Sequence, residues 1–261
     1  MPWFTRLCPA RLLLISVALV AAGCHREDSQ TLGKQVTVAA AANLTEAVTA
    51  LGSEFEARTG IHPVFSFAST AELTQQIEYG APFDVFLAAD ADHVAALEHE
   101  GLLTPGSRSV YAIGVLALWI PETSAAKINS VADLAQPSVK TIAVAKPELA
   151  PYGAAAVEAM QHAGVWDRTQ PRVVYANNIS AAKQYGTAGN ADAVFTAYSL
   201  VLNEHGQVIQ VDDSLHRPLT QEAGIIAKSA HSAEARRFMD FLLKGSGREI
   251  LKRFGYRMPS P

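Results

Sequence analysis

The chain has only two cysteines, Cys8 and Cys24, so a disulfide scaffold is excluded and the fold must be held by its core. Basic charge is also scarce, with 21 Lys and Arg against 25 Asp and Glu and a formal net charge of −4. That balance gives no electrostatic footprint for nucleic acid, which is excluded as a partner. Long-range steering of an anion is excluded too, so an anionic ligand would have to be caught by local hydrogen-bond donors. Catalytic signatures are missing. There is no G-x-S-x-G elbow, Walker loop or glycine-rich dinucleotide fingerprint, and the eight histidines lack zinc-type spacing such as H-E-x-x-H. No low-complexity tract, coiled coil or short internal repeat is present.

The amino-terminal residues "MPWFTRLCPARLLLISVALVAAGC" place Arg6 and Arg11 before an apolar run and end in small residues, the pattern of a secretory signal peptide over residues 1–24. The run is shorter than the roughly 20 residues a spanning helix needs. Its end, Ala21-Ala22-Gly23-Cys24, resembles a bacterial lipobox in which Cys24 would carry a lipid anchor; ordinary cleavage nearby is the alternative. Residues 25–35 read as a tether. Loss of the signal removes two arginines and takes the net charge from −4 to −6.

The roughly 225 residues that follow can bury a sizeable core, as one large domain or as two lobes. Strand-like runs alternate with helical periodicity. Residues 36–41 lead into Leu44, Ala47, Val48, Leu51 and Phe55 at helical spacing, closed by Gly60; "HPVFSFA" leads into "STAELTQQIEYG", and "FDVFLAA" into a helix behind Asp90. The run "SVYAIGVLALWIP" breaks the rhythm and is expected to cross between lobes. Beyond it a second α/β unit follows through "KTIAVA", "GAAAVEAMQHAG", "RVVYA", "SAAKQYGTAG" and "ADAVFTAY", with a return crossing expected near residues 208–213 and one amphipathic segment over 233–254. Mostly parallel sheets with helices on both faces are expected.

In such sheets ligands collect where strands end and helices begin, because free backbone N–H groups point there. Four junctions are suggestive: Ala42-Asn43, Ser69-Thr70, Pro151-Tyr152-Gly153 and Asn178-Ile179-Ser180. Asn43 has the plain reading of a helix cap, since "NLTE" is close to a capping box, and "STAE" reads the same way. Tyr152 could equally be a packed aromatic, and Ile179 could offer only its backbone N–H. Asp84, Asp90 and Asp92 look like a metal cluster, but Asp90 is better read as a cap and Asp84 as a strand entry.

Four segments in order, "VTVAAAANLTEAV", "FSFASTAELTQQIEYGAPFDVFLAADADHV", "AVAKPELAPYGAAAVEA" and "NADAVFTAYSLV", resemble the periplasmic molybdate-binding proteins of molybdenum ABC importers, the ModA family. The similarity runs from residue 36 to the carboxyl end, and "QQIEYGAPFDVFLAAD" is its most specific piece. The resemblance implies an α/β fold of the bilobal class II periplasmic binding protein type, two α/β sandwich lobes joined by two crossovers. Lobe 1 would comprise residues 36–115 with 216–261, and lobe 2 residues 116–215. It further implies a monomer without enzymatic activity or cofactor. Molybdate or tungstate would be its ligand, the metal held only as oxyanion, and the membrane permease of an ABC importer its partner.

Carried over by position, the family's first ligand serine falls on Asn43, with Ala42 beside it. The second falls on Thr70, after Ser69, the third contact on Tyr152, and the fourth, a backbone amide, on Ile179. Many members place a ligand tyrosine where this chain has Ala197, next to Tyr198; a subset with Asn in the first loop and Tyr in the "PYG" loop matches better. The competing readings are a sulfate or other oxyanion-binding protein, a ferric-ion receptor, which the absence of paired tyrosines disfavours, and a lipid-anchored scaffold without binding. From another class, a secreted hydrolase would need a base beside Ser69 that the sequence does not supply.

Overall fold

The computed structural model describes residues 34–259. The expected signal peptide, Cys24 and nearly all of the tether lie outside the described residues. Ten strands and eight helices are described: β1 (Gln35–Ala41), α1 (Thr45–Thr59), β2 (His62–Ala68), α2 (Thr70–Glu78), β3 (Val85–Leu87), α3 (Asp92–His99), β4 (Ser109–Gly114), β5 (Leu116–Ile120), β6 (Ile142–Ala145), α4 (Pro151–His162), α5 (Trp166–Thr169), β7 (Val173–Ala176), α6 (Ile179–Thr187), β8 (Ala193–Ala197), β9 (Gln207–Gln210), β10 (Leu219–Ile225), α7 (Ser232–Leu243) and α8 (Gly245–Arg253). No helix among the described residues is long and apolar enough to cross a membrane.

The strands form two five-stranded sheets, in the orders β2-β1-β3-β10-β4 and β7-β6-β8-β5-β9. β1 shows why the first run is apolar without a break from Val38 onward, after an alternating start at Gln35 to Thr37. Val36, Val38 and Ala40 belong to one buried cluster with Leu44, Val48, Leu51 and Phe55 of the following segment and with Phe238 and Leu242 of α7. Ala39, facing the other way, belongs to a second buried cluster with Leu73 and Ile77 of α2 and Leu97 of α3. A strand covered on both faces has no solvent side to mark with polar residues.

The sheets are mixed, not mostly parallel. β1 pairs in parallel with β2 and β3, and β6 with β7 and β8, whereas β10 is antiparallel to β3 and β4, and β5 to β8 and β9. The antiparallel strands sit where the chain moves between sheets, and only a strand–helix–strand crossover within one sheet enforces parallel pairing. The run "SVYAIGVLALWIP" divides at Val115 into β4 and β5, one in each sheet. The return lies later than expected, because Gln207–Gln210 is itself an edge strand paired with β5. The carboxyl-terminal segment is two helices, broken at Gly245 with φ of 45°.

Candidate functional site

Each of the four junctions is built locally. At the end of β2, Ser69 closes a capping box: its hydroxyl accepts the Glu72 N–H at 3.4 Å, and the Glu72 carboxylate accepts the Ser69 N–H at 3.1 Å. After β7, the Asn178 side chain accepts the Ala181 N–H at 2.9 Å and starts α6. After β6, Pro151 begins α4 with φ already suited to a helix. Gly153 then lets that helix approach the strand, since a Cβ there would lie 2.1 Å from the Ala145 carbonyl oxygen.

At Asn43 the expected cap is not formed. A 3-10 turn, Ala42–Leu44, stands between β1 and α1, and the residue before α1 is Leu44, which makes no side-chain cap. The turn shifts the helix start, so the "NLTE" spacing falls out of phase. Asn43 is buried, and its amide donates to Gln221 Oε1 and to the Tyr256 hydroxyl, both at 3.0 Å. Both amide protons are thereby used, and what Asn43 has left to offer a neighbouring ligand is its backbone N–H.

The structure brings all six sequence-selected residues together. Ala42, Asn43, Ser69, Thr70, Tyr152 and Ile179 line one small cavity, completed by Ala41, Ala89, Ala150, Pro151 and Asn178. The space free of protein atoms is about 200 Å³, of which only about 10 Å³ can hold the centre of a water-sized sphere. It is a site for one small species in contact with its walls, not for a sugar or peptide. No charged side chain lines it.

The donors are neutral. The Thr70 hydroxyl accepts the Ala89 N–H at 3.2 Å, and Ser69 accepts its capping bond, so each keeps its own proton to give. The Tyr152 hydroxyl accepts from Gln221 Nε2 at 2.9 Å and likewise keeps its proton. Burial holds the Tyr152 phenol well above the usual tyrosine value, so it stays a donor at any ordinary pH. The first N–H groups of α2, α4 and α6 have no intrahelical partner.

Bonds flanking the cavity join elements of the two sheets. Ala71 N–H donates to the Leu149 carbonyl at 3.2 Å, Ser180 Oγ to the Ala42 carbonyl at 2.9 Å, and Lys183 pairs with Glu46 at 3.4 Å. A larger and open cleft, with about 1080 Å³ free of protein atoms, shares Ala150 and Pro151 with the cavity. Asp90, Asp92, Glu148 and Glu158 line it beside His93 and Arg217, and that excess of carboxylates suits it poorly to an anion.

The acidic trio does not form a metal site. Asp84 accepts from Thr37 N–H and Ser229 Oγ, each at 2.7 Å, and Asp90 accepts the His93 N–H at 3.2 Å at the start of α3. No group of three metal-type side chains is arranged for an ion among the described residues. Ala197 ends β8, and the ring of Tyr198 lies against Gly255 rather than in the cavity. Sequence reasoning missed Tyr111, Ser199, Gln221 and Tyr256, whose buried polar groups support Asn43 and Tyr152. The available signal was a polar residue inside an apolar strand, as with Gln221 in "LTQEAGI".

Ser69→Ala is expected to lower stability by about 1 kcal/mol through loss of the cap. Thermal denaturation of the ligand-free protein should show a melting temperature lower by about 2–4 °C; no change would mean that the capping bond at 3.4 Å contributes nothing.

Two α/β layers meeting at helix starts around a donor-lined cavity define a two-lobed small-solute binding protein. The description "Bacterial extracellular solute-binding protein" fits residues 36–257. Molybdate-binding protein ModA of Rhodobacter capsulatus is 36% identical over 223 residues, covering 85% of this chain and 88% of that protein. ModA of Azotobacter vinelandii is 35% identical over 250 residues, covering 93% and 97%. The solved periplasmic molybdate-binding protein of Azotobacter vinelandii superposes with a TM-score of 0.82 at 31% identity, covering 86% of this chain and all of that one. The chain belongs to the bacterial extracellular solute-binding proteins, in the family of the molybdate-binding proteins ModA.

Proposed function

We propose that this protein captures molybdate or tungstate in the cavity and delivers it to the membrane permease of an ABC importer. The observation that carries the reading is the lining: hydroxyl-bearing residues and the first residues of three helices surround a space for one small species, with no carboxylate and no cationic side chain among them. A buried dianion is tolerable only if its oxygens receive hydrogen bonds. Bonds to a charged group are worth roughly 1.5–3 kcal/mol each. Several of them, set against the cost of association, reach roughly −8 to −12 kcal/mol, micromolar to nanomolar binding.

In this reading Ser69, Thr70 and Tyr152 donate through hydroxyls, and Ala42, Asn43 and Ile179 through or beside backbone N–H groups. Thr70 and Ser69 follow a strand of the first sheet, Tyr152 and Ile179 follow strands of the second. An anion touching both favours the closed arrangement through its differential contacts, and the closed form is what a permease would recognise. In the same reading the amino-terminal signal exports the protein, which acts outside the cytoplasm as a monomer, free or tethered through a lipid on Cys24.

A cradle of donors also selects. Monohydrogen phosphate brings a proton that needs an acceptor, whereas molybdate, tungstate and sulfate bring none. Calorimetric titration with the four anions is expected to give tight molybdate and tungstate binding and much weaker phosphate binding. Sulfate binding as tight as molybdate would instead make this a general tetrahedral-oxyanion receptor, since charge and shape are shared and only cavity size separates the two.

A further inference from the structure

The amide of Gln221, on a strand of the first sheet, donates to the Tyr152 hydroxyl of α4, and its orientation is set by a chain of bonds. The Tyr256 hydroxyl donates to the Asn43 carbonyl at 2.8 Å, which turns its oxygen toward the Asn43 amide. Asn43 gives its second proton to Gln221 Oε1 at 3.0 Å. Tyr111 shares its single proton between the Ala88 carbonyl and the same Gln221 oxygen, both at 2.8 Å. A Gln221 turned over would set its N–H groups against those of Asn43. Its Nε2 therefore faces Tyr152, at 2.9 Å, and the phenol oxygen must accept.

We infer that Gln221 is a positioning residue that fixes the proton direction of the Tyr152 hydroxyl and so makes the cavity selective for oxyanions that carry no proton. The inference rests on the cavity being an oxyanion site. A phenol has one proton. With its oxygen held by Gln221 and its proton given to no other group among the described residues, the phenol is free to donate to an anion in the cavity whose wall Tyr152 helps form. Were the phenol to donate to residue 221, it would present a lone pair to the cavity, repelling a bare dianion and welcoming a protonated one.

Gly114 makes the pairing sterically feasible. It ends β4, where the chain leaves the first sheet. A Cβ there would lie 2.2 Å from the Tyr152 hydroxyl oxygen and 2.4 Å from Gln221 Nε2. With Tyr152 Cζ at 3.0 Å these are all side-chain atoms, so an alanine would press on the Tyr152–Gln221 pair itself and force it apart.

The test is calorimetric titration of the wild-type protein, Gln221→Glu, Gly114→Ala, Tyr152→Phe and the Gly114→Ala/Tyr152→Phe double variant. Molybdate is titrated directly, and inorganic phosphate in competition near pH 8. In Gln221→Glu the carboxylate takes the phenol proton. The molybdate-to-phosphate affinity ratio is then expected to shrink by about tenfold or more, since one bond to a charged group is worth at least that. Equal weakening of both anions would mean that the carboxylate acts only by repulsion, and would overturn the inference. Gly114→Ala is expected to weaken molybdate binding about as much as Tyr152→Phe, and the double variant no more than either alone, because both act through one hydroxyl. Additive losses would overturn it too. If the wild-type protein binds neither anion, the functional reading itself falls; if it binds molybdate with an unchanged ratio in Gln221→Glu, only the inference does.

Discussion

Replacing Tyr152 by phenylalanine is expected to weaken molybdate binding by about 2–3 kcal/mol, roughly 30- to 150-fold in Kd. Two losses combine. The anion loses a donor, and Gln221 Nε2 loses its acceptor at a fully buried position. The second loss falls mainly on the closed, ligand-bound form, because opening would let water replace the phenol. Calorimetry measures the effect, and unchanged affinity would mean that Tyr152 contributes only through its backbone. Because burial holds the phenol well above the usual tyrosine value, its ionisation should leave wild-type affinity level up to about pH 9. A fall tracking a phenol titration near its ordinary value would contradict that burial.

Gly153→Ala is expected to cost about 3 kcal/mol of stability, lowering the melting temperature by about 6–12 °C. The added methyl would lie 2.1 Å from the Ala145 carbonyl oxygen and 2.8 Å from its carbon, and these are backbone atoms of β6 that no rotamer change can move. Relief requires α4 to lift away from the sheet. Pro151 and Tyr152 lie on the same turn and line the cavity. The rise in melting temperature on adding molybdate should therefore fall in this variant as well. A normal melting temperature in the absence of ligand would show that the helix accommodates the methyl by a small shift.

The contrast between these positions and Asn43 marks how far local pattern carries. The helix at Ser69 and the strand ends before Tyr152 and Ile179 follow from periodicity and from residues three apart, and the structure has them where the pattern puts them. Asn43 carries the same kind of signal and yet does not cap, because an inserted 3-10 turn leaves its amide free for partners 178 and 213 residues away. The mixed pairing of the sheets was likewise hidden, since β5 and β10 look like any other apolar run.

By itself the sequence determined the alternation of strands and helices, the four strand-to-helix junctions and the chemical kind of donor each would bring. These are properties of neighbours along the chain, governed by backbone geometry and by the apolar faces it must bury. Only the tertiary structure decided that the four junctions meet at one cavity, that Tyr256 rather than Tyr198 stands beside Asn43, and that Gln221 holds the phenol of Tyr152. A hydrogen bond between distant strands depends on where two sheets place their side chains to within a few tenths of an ångström, and no spacing along the chain encodes that distance.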